Sequence, residues 1–174
     1  AHIAHTHIGN IMKKIGIFAA VLIVAGLIAV MLKPSYSAAP EFSLTDLNGK
    51  TVNQDALKNR VSLVNFWFPS CPGCVSEMPK LIQMAKDYRG KNFQIIGIAV
   101  PVDSEAAVRE YAAQHQLPFT VLLDPQKAAV NRFIKTELYP TSFLINQKGE
   151  IVHTFVGEPK FAELYQTVDE LLKK

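Results

Sequence analysis

Cys71 and Cys74 are the only cysteines in the 174-residue chain, and they stand in Trp67-Phe68-Pro69-Ser70-Cys71-Pro72-Gly73-Cys74. Two thiols separated by two residues can close a reversible disulfide, and no other side chains in the sequence offer comparable chemistry. The apolar run 61–66 just before them predicts a buried strand, and the stretch 75–88 just after predicts a helix. A thiol at that junction meets the free N–H groups and partial positive charge of a helix N-terminus, which favour the thiolate. A structural zinc site would need about four Cys or His ligands, and no histidine is near in sequence. A permanent structural disulfide across so short a loop would remove little chain entropy. A redox-active dithiol is the reading that uses both residues.

The N-terminus says where such a pair would work. Residues 15–32 (IGIFAAVLIVAGLIAVML) form an uncharged run of 18. As a helix the run spans about 27 Å at ~1.5 Å per residue, close to the ~30 Å hydrocarbon core of a bilayer. Lys13 and Lys14 precede it, and the positive-inside rule keeps them cytoplasmic while the C-terminal bulk crosses. A cleaved signal peptide is the alternative, with Ser35, Ser37, Ala38 and Ala39 as small residues near a cut. The run exceeds the ~7–15 residues of a usual signal core, and Tyr36 and Pro40 spoil some cleavage registers, so an uncleaved anchor is preferred. Met12-Lys13-Lys14 looks like a natural start, which makes 1–11 an N-terminal extension or tag remnant. His2, His5 and His7 lie in it, and a flexible tail is the preferred reading over a metal site. The expected division is 1–11 extension, 12–33 anchor or signal segment, 34–40 tether and 41–174 folded domain.

Charge supports that division. The net charge of +3 equals the contribution of Lys13, Lys14 and Lys33, and residues 40–174 carry 15 basic and 15 acidic side chains. The exported part is formally neutral and gives no case for nucleic-acid binding. A lone Cys pair in an oxidising compartment stays reduced only if something reduces it.

Residues 41–174 suffice for one compact domain with its own core. Phe42-Ser43-Leu44 and Thr51-Val52, across Asn48-Gly49, predict a hairpin. Strands are expected at 61–66, 93–100, 120–123, 141–146 and 150–156, the last two flanking the turn Gln147-Lys148-Gly149. Helices are expected at 75–88, from Ser104 to near His115, at 126–133 and at 161–172. Asp124-Pro125 reads as a turn or helix start. This order predicts an α/β domain, a mixed sheet with helices on both faces. His115 and His153 read as surface or satisfied histidines, Trp67 and Phe66 as core beneath the site.

Val64-Asn65-Phe66-Trp67, the CPGC site, Glu77-Met78-Pro79 and Tyr139-Pro140-Thr141 resemble the TlpA/ResA family of membrane-tethered, thioredoxin-like thiol–disulfide oxidoreductases of bacteria. The resemblance covers 41–174. It implies a thioredoxin-like fold with an added N-terminal hairpin and a strand–helix insertion around 93–115, preceded by one transmembrane helix. It further implies a single-pass protein of the bacterial inner membrane with a monomeric catalytic domain in the periplasm. By position, Cys71 resembles the exposed attacking thiol and Cys74 the buried resolving thiol. Glu77, one helical turn beyond Cys74, resembles a proton-shuttling carboxylate, against the plainer reading of a glutamate favoured by the helix dipole. Pro79 resembles the proline that kinks this helix. Pro140 resembles the cis-proline beside the disulfide, and Tyr139 the residue whose backbone pairs with substrate; Ser70 and Pro72 complete the substrate-binding lip.

The sequence also departs from the family. Ser70 stands where many relatives place a Trp. Asn65 stands where cytosolic thioredoxins have a buried Asp, so a proton role falls to Glu77 or water. No His separates the cysteines, unlike strongly oxidising relatives. The implied partners are protein substrates with disulfides or thiols, such as apocytochrome c or metal-site cysteines, and a membrane-embedded thiol electron donor. No cofactor is implied beyond the redox-active pair. A general oxidant or isomerase is the first alternative. A copper(I)-handling protein, with the two thiolates and His153 as ligands, is the second and is not favoured.

Overall fold

The computed structural model describes residues 2–32 and 35–174, with side chains described from Met12 onward. Lys33 and Pro34, where the expected anchor meets the tether, lie outside the described residues, as does Ala1. The chain divides into two compact units between Ser35 and Tyr36.

The first unit is one helix, α1 (His2–Met31). It starts ahead of the apolar run, and residues 2–11, expected as an N-terminal extension or tag remnant, continue the same helix. Extending an existing helix fixes one residue per hydrogen bond gained, whereas starting one does not. The 20 residues Met12–Met31 are long and apolar enough to cross a membrane.

In the second unit, eight strands form one sheet. At its centre is β4 (Val61–Trp67), every residue of which is buried. It pairs in parallel with β5 (Phe93–Ala99) and antiparallel with β7 (Thr141–Ile145). β6 (Thr120–Leu123) extends the parallel side, and β8 (Glu150–Val156) the antiparallel side. The hairpin β2 (Ser43–Asp46) and β3 (Thr51–Asn53) adds to β6. Part of the expected tether is ordered: β1 (Ser37–Ala38) pairs with β8. An edge strand offers unpaired backbone groups to any chain that passes, and a two-residue pairing leaves no periodicity to read.

Alternation along β4 divides the core. Leu63 and Trp67 face α2 (Pro72–Asp87), α3 (Glu105–Gln114) and α5 (Phe161–Leu172), packing with Met78, Val108 and Leu164. Val64 and Phe66 face the other way, onto Phe42, Leu57, Phe133 and Phe143. That second face carries only the short α4 (Val130–Phe133) and the 3-10 turn Gln54–Leu57, so the three long helices share one side.

Two helix boundaries differ from expectation. α4 was expected from residue 126, but the buried Asp124 carboxylate accepts the N–H groups of Ala128, Ala129 and Val130 at 2.6–2.9 Å. A side-chain-bonded turn therefore replaces the first helical turn. α2 begins at Pro72 rather than 75, because Cys71 is its N-cap and Pro72 needs no amide partner in the first turn.

Candidate active site

The reactive pair sits where β4 hands over to α2. Cys71 and Cys74 form a disulfide with Cα atoms 5.2 Å apart. The Cys71 Sγ accepts the Cys74 N–H at 3.2 Å, and the Cys71 carbonyl accepts the Val75 N–H at 3.0 Å. A reduced Cys71 sulfur would therefore lie among free helix donors that favour its thiolate. Cys71 is 4% exposed and Cys74 0%. The expectation of an exposed Cys71 needs correction in degree: it is nearly buried, because the loops around it close on the motif, yet it remains the more open of the two.

Three segments make those walls. Pro72 and Gly73 are exposed, and the cis Tyr139–Pro140 bond lies against Gly73. A Cβ on Gly73 would stand 3.1 Å from Pro140 Cδ, so a glycine lets the motif approach the proline this closely. The Pro140 carbonyl accepts the Gly157 N–H at 2.8 Å. Tyr139 is half-buried, with its ring edge-on to Phe68 at 5.6 Å. Burial, then Glu137 and Asp124, push its phenol up to about 12.

Ser70 forms the third wall in an unforeseen way. Its N–H and Oγ donate to the two carboxylate oxygens of Asp103 at 2.6 and 2.8 Å. Asp103 lies in the loop between β5 and α3, and no sequence signal linked it to the motif.

Beneath the pair lies Trp67, 0% exposed and 5.2 Å from the Tyr111 ring. Gly97 on β5 makes room for it, since a Cβ there would come within 2.9 Å of Trp67 Nε1. Behind Cys74, Glu77 is fully buried, and its Oε1 accepts from Asn65 Nδ2 at 2.6 Å. Asn65 also donates to Ser142 Oγ at 2.9 Å. Burial chiefly pushes the Glu77 carboxyl up to about 7; Glu158 adds to this, while the Asn65 hydrogen bond and Lys80 act against it. Lys80 and Glu158 are themselves paired.

Cys71, Cys74, Ser70, Pro72, Tyr139, Pro140, Glu77 and Asn65 thus come together, with Trp67 below. Pro79 lies farther along α2, exposed, and the helix continues through it to Asp87. Its missing N–H leaves the Val75 carbonyl without the usual helical partner. His115 stacks on Tyr111 at 4.1 Å, and His153 lies on β8 against Phe155 at 4.4 Å. Among the described residues no three His, Cys, Asp or Glu side chains gather as a metal cluster.

Val75, Val102, Leu138 and Val156 are the large aliphatic side chains exposed in the second unit. Each lies within two residues of a group on the motif or its walls: Cys74, Asp103, Pro140 and Gly157. A dithiol capping a helix, a proline wall and a buried ionisable carboxyl can exchange disulfides with another protein's thiols.

Comparison with known proteins agrees. Residues 34–168 match the Redoxin family model. The thiol-disulfide oxidoreductase ResA of Bacillus cereus is 34% identical over 120 residues, 69% of this chain and 68% of the relative. The solution structure of a Neisseria meningitidis protein assigned as a thioredoxin superposes with a TM-score of 0.74 at 53% identity, covering 80% of this chain and 93% of that one. A thiol:disulfide interchange protein of the thioredoxin family from Chlorobium tepidum gives 0.70 at 29%, covering 80% and 99%. The chain belongs to the Redoxin family, as a ResA-like thiol–disulfide oxidoreductase with a thioredoxin-like fold.

Proposed function

We propose that this oxidoreductase is a membrane-tethered reductant of selected disulfides in exported proteins, with Cys71 attacking and Cys74 resolving. The observation that carries the assignment of thiols is the cap: Cys71 Sγ takes the Cys74 N–H at the start of α2, and Cys71 is the less buried sulfur. In the forward direction the Cys71 thiolate attacks a substrate disulfide, forms a mixed disulfide and expels one substrate thiolate. Cys74 gives its proton to Glu77, attacks the Cys71 sulfur and releases the second substrate thiolate, which takes up a proton. The substrate gains two electrons and the Cys71–Cys74 pair loses them. A thiol donor in the membrane then restores the pair, and no further cofactor takes part.

The direction is supported by the absence of a histidine between the cysteines and by kinship to ResA. The tether is supported by the apolar α1, with Lys13 and Lys14 on its cytoplasmic side in an inner membrane and the catalytic unit in the periplasm. Exposed Val75, Val102, Leu138 and Val156 suit unfolded protein segments, with Tyr139, Pro140, Ser70 and Pro72 as the substrate-facing lip; apocytochrome c and metal-site cysteines fit that class.

Trapping tests the assignment. Full-length Cys74→Ser, in detergent, should accumulate a mixed disulfide with a cysteine-containing protein substrate, and Cys71→Ser should not. The reverse pattern would overturn it.

A further inference from the structure

Asn65 and Glu77 meet where neither side chain reaches water: Asn65 is 1% exposed and Glu77 0%. Asn65 sits in the middle of β4, directly opposite Ser142 on β7. Its amide nitrogen serves two partners, Glu77 Oε1 on α2 at 2.6 Å and Ser142 Oγ at 2.9 Å. One amide thereby joins the helix that Cys71 caps and Cys74 lies on to the strand that follows Pro140. Two further acceptors, Asn65 Oδ1 and Glu77 Oε2, are buried with no hydrogen-bond partner among the described residues.

This arrangement suits one protonation state of Glu77. An ionised carboxylate only accepts, and the amide nitrogen faces it. A protonated carboxyl needs an acceptor, and Asn65 carries one. An amide is nearly the same shape when turned over, and a serine hydroxyl both donates and accepts. With the amide turned, Oδ1 can accept from the Glu77 hydroxyl and from Ser142 Oγ–H. An ionised aspartate at 65, having no donor, would serve only the protonated form.

We propose that Asn65, backed by Ser142, is the positioning residue that lets the buried Glu77 gain and lose a proton by presenting either its donor or its acceptor face. The idea rests on the reading that Glu77 exchanges a proton with Cys74, and supplies what that reading lacks, a partner for both forms. The other groups acting on Glu77 are Lys80, which favours the charged form, and Glu158, which opposes it. Cys74 lies on its own helix and Cys71 caps it, and Lys80 is largely engaged by Glu158.

The test uses the oxidised full chain in detergent. The Glu77 carboxyl is followed by carbon NMR through a pH titration, and the Asn65 side-chain NH2 signals by nitrogen NMR. The Asn65 signals should shift with the same midpoint as Glu77. Asn65→Leu removes both faces, and because the hydrogen bond to the charged form is the stronger of the two, the Glu77 midpoint should still rise, by about half to one pH unit. Asn65→Asp keeps the shape and should give a coupled pair, one of whose protons is held to about pH 8 or above. The inference is overturned if Asn65 signals ignore the Glu77 transition, or if the midpoint in Asn65→Leu stays where it was. If Asn65→Leu does not fold, Asn65→Asp decides: two ordinary, uncoupled carboxylates would sink the proposal. The pH profile of disulfide exchange is a separate readout. A midpoint that moves by NMR while the kinetic profile stays fixed supports the Asn65 role and counts against Glu77 as the proton acceptor.

Discussion

Asp103 holds Ser70 by both carboxylate oxygens, 2.6 Å from its N–H and 2.8 Å from its Oγ. Ser70 immediately precedes the capping cysteine, so a loop of the α3 crossover fixes the approach to Cys71. Replacing Asp103 by Ala should loosen this junction. Hydrogen exchange at the Ser70 amide should speed by about 10- to 100-fold, the equivalent of a lost hydrogen bond to a charged group. Asp103→Asn, which can still accept and donate, should stay within about threefold.

Glu77 gives a pH dependence with a definite sign. Its carboxyl is pushed from 4.5 to about 7 in the folded protein, mainly by burial. Between those values the folded state binds a proton that the unfolded state does not, so stability falls as pH rises from about 4.5 to about 7. The loss is on the order of 3 kcal/mol for a shift of this size. Glu77→Gln, oxidised, should therefore be more stable than the parent at pH 8 and nearly equal to it at pH 4. Denaturant titration at the two pH values checks this, and equal stability differences at both would contradict it. The same variant should slow disulfide exchange most above pH 7, where the parent carboxylate can accept a proton.

Gly97 leaves Trp67 its place under the disulfide. A methyl group there would come within 2.9 Å of Trp67 Nε1. Gly97→Ala should cost about 1–3 kcal/mol of stability, as overpacking of a core does. Trp67 is the only tryptophan, so its emission should shift as the ring is displaced. Unchanged emission and stability would show that the close approach is not needed.

Much of this was legible in advance, and the reasons are physical. β4 announced itself because a central strand is apolar on both faces, and the cysteines because two thiols at that spacing have one obvious chemistry. The turn at Asp124 was read only as a turn or helix start, and its consequence escaped: a carboxylate can replace a helical turn, which periodicity does not reveal. Ser142 and Asp103 were invisible as site residues because they reach it through pairing and loop closure, not through motif spacing. Gly97 was silent for the same reason, since its role is space for a ring 30 positions away. Asn65 was noticed as a departure, but its two partners come from α2 and β7.

Asp124 supplies a further check. It is 1% exposed and satisfies three N–H groups of the α4 entrance. Asp124→Ala should destabilise the domain by about 2–4 kcal/mol in denaturant titrations, and Asp124→Asn by clearly less, because an amide oxygen still accepts.

The most direct test of the account is the reduction potential of the Cys71–Cys74 couple. The full chain, in detergent, would be equilibrated against glutathione or dithiothreitol buffers of known potential. A value near or below about −250 mV is expected for a reductant of exported disulfides. A value near or above about −180 mV would place the protein with isomerases and oxidants, and contradict the proposed direction of electron flow.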